Sequence, residues 1–207
     1  MNVRESTLPL NRALVAVSLA ALLVLGGCGK TVERIDTDET RDLSGRWNDT
    51  DSRLVAEEMV ADALARPWLE DHREDAGERP TVIVGEIRNL SHEHINTRTF
   101  INDLQRELVN SGEVDFVASD EQRKAIREER ADQDLHASPD TRKAMGEELG
   151  ADYMLLGSIN TIIDQEGREQ VRFYQVDLEM ISLDDNRKVW LGQKKLKKFV
   201  SGAAVRP

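Results

Sequence analysis

Four imidazoles, one thiol and one basic cluster are the side chains whose placement in this sequence invites chemistry. The histidines are His72, His92, His94 and His136. Side chains two apart on an extended segment share a face, so His92 and His94 would begin a metal site there. No third ligand follows at a recognisable spacing, and the stretch reads as a loop with Glu93 between them. A polar surface loop accounts for the pair, and no metal or cofactor is expected. No nucleophile elbow, phosphate-binding glycine loop or zinc-protease motif is present. Carboxylates are too abundant for a catalytic pair to stand out, and Glu128, Glu129 and Arg130 read as a solvated helix face. No catalytic residue is expected, and the chain reads as non-enzymatic. Lys194, Lys195, Lys197 and Lys198 contrast with the acidic background. They read either as a contact for an anionic partner or as a charged edge strand that resists edge-to-edge pairing.

The thiol belongs to Cys28, the only cysteine. It follows Arg4 and Arg12, an apolar run from Ala13 to Leu25, and Gly26-Gly27. A charged segment, a short apolar segment and small residues at the junction mark a secretory signal peptide. The run falls short of the roughly 20 apolar residues a spanning helix needs. Leu25-Gly26-Gly27-Cys28 resembles a bacterial lipobox, which implies cleavage before Cys28 and lipidation of its thiol and new amino terminus. An ordinary signal peptide with an incidental cysteine, or an uncleaved anchor, is the alternative. Each buried methylene contributes about 0.8 kcal/mol, so two or more acyl chains anchor firmly. Gly29 stands where an aspartate resembles the inner-membrane retention signal of enterobacterium-like lipoproteins. That absence implies an outer-membrane lipoprotein facing the periplasm.

The elements that must position these groups follow in order. Formal net charge is −11. The leader holds Arg4 and Arg12 against Glu5, so the remainder is more acidic still, and nucleic acid or an anionic membrane face is disfavoured. The expected organisation is a signal peptide over 1–27, a lipidated tether over 28–42, one globular periplasmic domain over 43–200 and a tail over 201–207. Fifteen tether residues reach at most about 50 Å. Asn48 to Asp51 offer helix caps. Val55, Met59 and Ala63, with Val60 and Leu64, form one apolar helix face that Pro67 stops or kinks. Leu69 to Pro80 reads as a loop and Thr81 to Ile87 as a strand. Asn89 to Asn96 reads as a loop. Thr97 can cap a helix through Gly112 that buries Phe100, Leu104 and Leu108. Val114 to Ala118 is a short strand. Ser119 and Gln122 open a charged helix, and Ser138-Pro139 opens another that turns Met145 and Leu149 inward before Gly150. Asp152–Asp164, Val171–Leu183 and Lys188–Val200 are strands, with a bulge near Tyr174 to reconcile two apolar phases. The order α-β-α-β-α-α-β-β-β places parallel pairing early and an antiparallel meander at the close: an α/β (α+β) single domain on one mixed sheet.

Several segments together resemble the LpoB-type lipoproteins, activators of penicillin-binding proteins. They are Asp42 to Ser52 (Asp-Leu-Ser-Gly-Arg-Trp-Asn-Asp-Thr-Asp-Ser), Gly85 to Asn89, Glu93 to Thr97, Gly150 to Ile159, and Val189-Trp190-Leu191-Gly192 with Lys197-Lys198. The resemblance implies a fold similar to the TolB N-terminal domain. It also implies a non-enzymatic outer-membrane regulator that binds the non-catalytic regulatory domain of a bifunctional penicillin-binding protein and stimulates peptidoglycan synthesis. On the matching segments, Arg46, Trp47, Asn48, Arg88, Asn89, Glu93, His94 and Asn96 are candidate partner-binding residues, although Trp47, Asn48 and Asn89 serve equally as caps and packing residues. Known members carry a long tether, and this one is short. The rival reading is a lipoprotein scaffold of an envelope assembly or secretion system built on the same TolB-like module.

Overall fold

The computed structural model describes residues 32–37, 39–136 and 148–202. The chain divides into two compact units, Met1–Glu39 and Thr40–Pro207. In the described part of the first, Val32 and Ile35 are exposed and Glu39 N–H donates to the Asp36 carbonyl. The leader and Cys28 lie outside the described residues, as does most of the helix expected from Ser138 to Gly150, whose last residues, 148–150, are not helical.

The second unit begins with α1 (Asp49–Leu64), capped by a reciprocal box between Asn48 and Asp51. Its Val55, Met59 and Ala63 are buried as their spacing predicts. The expected loop after it is instead α2 (Pro67–Ala76). Pro67 sits in the first turn, where the missing N–H is no loss, so it starts a helix as well as ending one. Trp68 and Leu69 are its buried residues, and Trp68 donates to the Ala63 carbonyl at 2.7 Å. Next come β1 (Thr81–Asn89), α3 (Thr97–Ser111), β2 (Asp115–Phe116) and α4 (Asp120–His136). Asn96, not Thr97, caps α3 through its side-chain oxygen. Gly112 ends α3 in the left-handed conformation. The Ser119–Gln122 box forms at the start of α4. Leu149, expected to face inward, is exposed.

Three 14-residue strands close the fold: β3 (Tyr153–Glu166), β4 (Glu169–Ser182) and β5 (Lys188–Ser201). The sheet order is β2-β1-β3-β4-β5. β2, β1 and β3 run parallel, and β3, β4 and β5 form the expected antiparallel meander. The expected bulge near Tyr174 is absent, because β3 and β4 pair without a break from Tyr153↔Ser182 to Glu166↔Glu169. The irregularity lies instead between Met180 and Ile181 against β5. Unbroken alternation turns Tyr174, Val176, Leu178, Met180 and Ser182 inward. Phe173 therefore belongs to the other face, and the two apolar phases are two faces of one regular strand.

The inward face packs under α1 and α3. Phe100, Leu104 and Leu108 meet Val82, Leu155, Ile159, Val176 and Met180 in one core. The opposite face carries no described helix. Its cross-strand rows are Leu156–Glu179–Leu191, Ser158–Asp177–Gln193, Asn160–Gln175–Lys195, Ile162–Phe173–Lys197 and Asp164–Val171–Phe199.

Candidate functional site

The candidate residues converge on one end of the meander, where residues 42–48 and the loop 90–96 meet β4 and β5. Gly45 has φ +65°, and a Cβ there would overlap the Val200 side chain. The chain thereby lies flat on the strands and delivers Trp47 between two aromatic rings. Trp47 meets Phe100 edge-on with centroids 6.0 Å apart and Tyr174 at 5.7 Å.

Glu93 is the charge at the centre. Its side chain is 9% exposed, and that of its ion-pair partner Arg172 is 13% exposed. The Tyr174 hydroxyl donates to the Glu93 carboxylate, 2.9 and 3.0 Å from its two oxygens, and lies 3.3 Å from the Gly45 carbonyl oxygen. Trp47 N–H donates to Glu93 Oε2 at 3.4 Å. Burial, and then the Glu93 hydrogen bond, push the Tyr174 hydroxyl up to about 12. Beside it the Lys198 ammonium donates to Asp42 at 2.7 Å and Asp51 at 2.6 Å. Burial pulls its pKa down, but the hydrogen bonds to those two carboxylates outweigh burial and hold it above the ordinary lysine value. Asn48 joins by donating to Asp42 at 2.7 Å.

Asn89 shapes the loop. Its amide donates to the Glu93 carbonyl at 2.8 Å and its oxygen accepts from Ser91 N–H and Oγ. Asn96 starts α3. The structure therefore brings Trp47, Asn48, Asn89, Glu93 and Asn96 together as a positioning framework. Arg46 and His94 are exposed at its margin, and Arg88 points from the far side of β1 toward the helix-free sheet face. His92 N–H donates to the Thr161 hydroxyl at 3.2 Å. Among the described residues, no three His, Cys, Asp or Glu side chains gather as a metal site. Glu93 already accepts from a guanidinium, a phenol and an amide, so its lone pairs are committed to holding the framework. Arg172, Tyr174 and the helix-capping Asp51 belong to the framework but not to the candidate residues of the sequence. Inward parity on β4 is the one local signal that reaches Tyr174.

The LpoB family, described as peptidoglycan-synthase activators, matches residues 51–196, from the first turn of α1 well into β5. No curated protein sequence matches the chain. Among solved structures, the LpoB C-terminal domain from Salmonella enterica is 18% identical, with TM-score 0.42, covering 72% of this chain and 99% of that one. The corresponding Escherichia coli domain is 18% identical with TM-score 0.35, covering 64% and 94%. Lipoprotein GNA1162 from Neisseria meningitidis is 13% identical with TM-score 0.39, covering 61% and 88%. With the family match running over residues 51–196, from α1 through most of the sheet, this chain belongs to the LpoB family of peptidoglycan-synthase activators.

Proposed function

We propose that this chain is a lipoprotein held at the outer membrane through Cys28, with residues 43–200 as a periplasmic domain that binds and activates a bifunctional penicillin-binding protein. The family match over residues 51–196 carries this reading. On it, residues 1–27 are removed as a signal peptide, residues 28–42 form the tether, and residues 201–207 are a tail. The partner surface on the synthase is its non-catalytic regulatory domain.

The protein acts by binding and supplies no reacting group. An activator of this kind shifts its partner only through unequal affinity for two states, so it must bind the active synthase more tightly than the resting one. The framework suits that role. It pins residues 42–48 and the 90–96 loop to the strands, so the domain docks as one body and little conformational freedom is lost. The tether sets the geometry, since about 50 Å of extended chain limits how far the domain lies from its lipid.

A pull-down of the purified protein with the cognate bifunctional synthase, paired with a glycan-polymerisation assay, tests the reading. Retention of the synthase and faster polymerisation are expected. No retention with no change in rate overturns it.

A further inference from the structure

The sheet face opposite α1 and α3 has an unusual composition for an exposed antiparallel surface, which ordinarily alternates apolar-in with polar-out. Leu191, Ile162 and Phe199 are 68%, 65% and 63% exposed, and register places all three on this face. Met154 and Leu156 extend the apolar surface to β1, where Gly85 makes room for both side chains. Between β1 and β5 the face is hollowed into a groove of about 580 Å³. Leu156 and Leu191 contribute its apolar surface, and Glu86, Arg88, Asp177 and Glu179 its charge. Spanning β1, β3, β4 and β5 gives a width of about 14 Å at the usual strand spacing, close to the ~10–12 Å diameter of one helix.

The charges say what fits. Lys188 neutralises Glu179. Asp177 accepts from Gln175 and Gln193, at 2.8 and 2.7 Å, and pairs with no cation among the described residues. Glu86 and Arg88 likewise form no ion pair among the described residues. The groove keeps a net negative balance, within a chain of net charge −11. Toward the far end, Asp164, Glu166 and Glu169 outnumber Lys195 and Lys197, which disfavours an anionic lipid surface.

We infer that this groove grips the synthase, and that the synthase offers it a helix-sized ridge with an apolar centre and cationic flanks. The inference rests on the proposed function and adds the face used and the chemistry it meets. Arg88, one of the candidate residues, lies in the groove, whereas Trp47, Asn48 and Glu93 belong to the framework on the other side of the sheet. Acidic charge around an apolar centre steers a basic partner and sets its register, while the apolar centre governs how long it stays.

The test is the affinity of the full chain for the purified cognate synthase, for the parent and three variants checked for folding by circular dichroism and melting. Leu191→Asp replaces an exposed groove residue. Glu86→Lys reverses a groove charge. Leu54→Asp, on the exposed side of α1, is the matched control. Leu191→Asp weakens binding about tenfold or more, as loss of a central contact does. Glu86→Lys weakens it about fivefold, chiefly in the association rate and less so at high salt. Leu54→Asp stays within about twofold. Groove variants that bind like the parent overturn the inference and leave the proposed function standing. A parent chain that does not bind the synthase overturns both. Loss of self-association, or of binding to phosphatidylglycerol vesicles, in Leu191→Asp with synthase binding intact reassigns the groove to a second copy or to lipid, and overturns the inference too.

Discussion

Glu93 shows how single residues hold this molecule together. Three donors, Arg172 and Tyr174 of β4 and the Trp47 N–H, converge on its carboxylate. Removing one member of such a pair leaves the other charge buried without compensation, at a cost of about 3–5 kcal/mol. Glu93→Ala is therefore expected to destabilise the fold by about that amount in urea unfolding, whereas exposed His94→Ala changes stability by less than about 0.5 kcal/mol. Tyr174 adds a pH signature. Its pKa is raised from an ordinary value near 10 to about 12, so the folded state holds its proton more tightly than the unfolded chain. That contribution is full below about pH 10 and is lost as pH rises from there through about 12. Alkaline unfolding monitored by circular dichroism should show this loss in the parent but less of it in Tyr174→Phe. None of this clustering was legible from spacing. Glu93 and Arg172 are 79 residues apart, and Lys198 and Asp51 are 147 apart. The family resemblance drew attention to Glu93 without saying that its task is internal.

Local periodicity specified most elements, and its failures were physical. Val55, Met59 and Ala63 marked α1 and Phe100, Leu104 and Leu108 marked α3, because one-sided burial imposes the helical period. α2 escaped because Pro67 acts in two ways, ending one helix and beginning the next, and because only Trp68 and Leu69 are buried in it. A bulge near Tyr174 is needed only if the apolar residues of β4 share one face, and they do not. Phe173 sits instead on the helix-free face, opposite Ile162 and Lys197. The capping residues carry a direct test. Asn48→Ala removes an N-cap that also donates to Asp42, and should cost about 1 kcal/mol in thermal or urea unfolding. A second test lies in β3. A Cβ on Gly157 would press into the Asp177 carbonyl oxygen and Leu178. Gly157→Ala is expected to destabilise by about 1–3 kcal/mol, visible as a lower melting temperature.

At the scale of the whole molecule, an acidic, rigid domain presents two different faces. One is sealed by α1 and α3 over the core, and the other carries no helix among the described residues and is hollowed and partly apolar. The fold class and the parallel-then-antiparallel strand order were legible in the sequence, because connection lengths decide them: tight turns link β3, β4 and β5, whereas helices separate β1 from β2 and β2 from β3. Which face stays uncovered was not legible, since it depends on where the helices settle after the strands pair. The central claim is that this chain raises the activity of a peptidoglycan synthase by binding it. The most direct measurement is the glycan-polymerisation rate of the purified cognate bifunctional penicillin-binding protein as the full-length protein is titrated in. A severalfold rise is expected that saturates with added protein and that Leu191→Asp shifts to higher concentration. A rate that stays flat through saturating protein would contradict it.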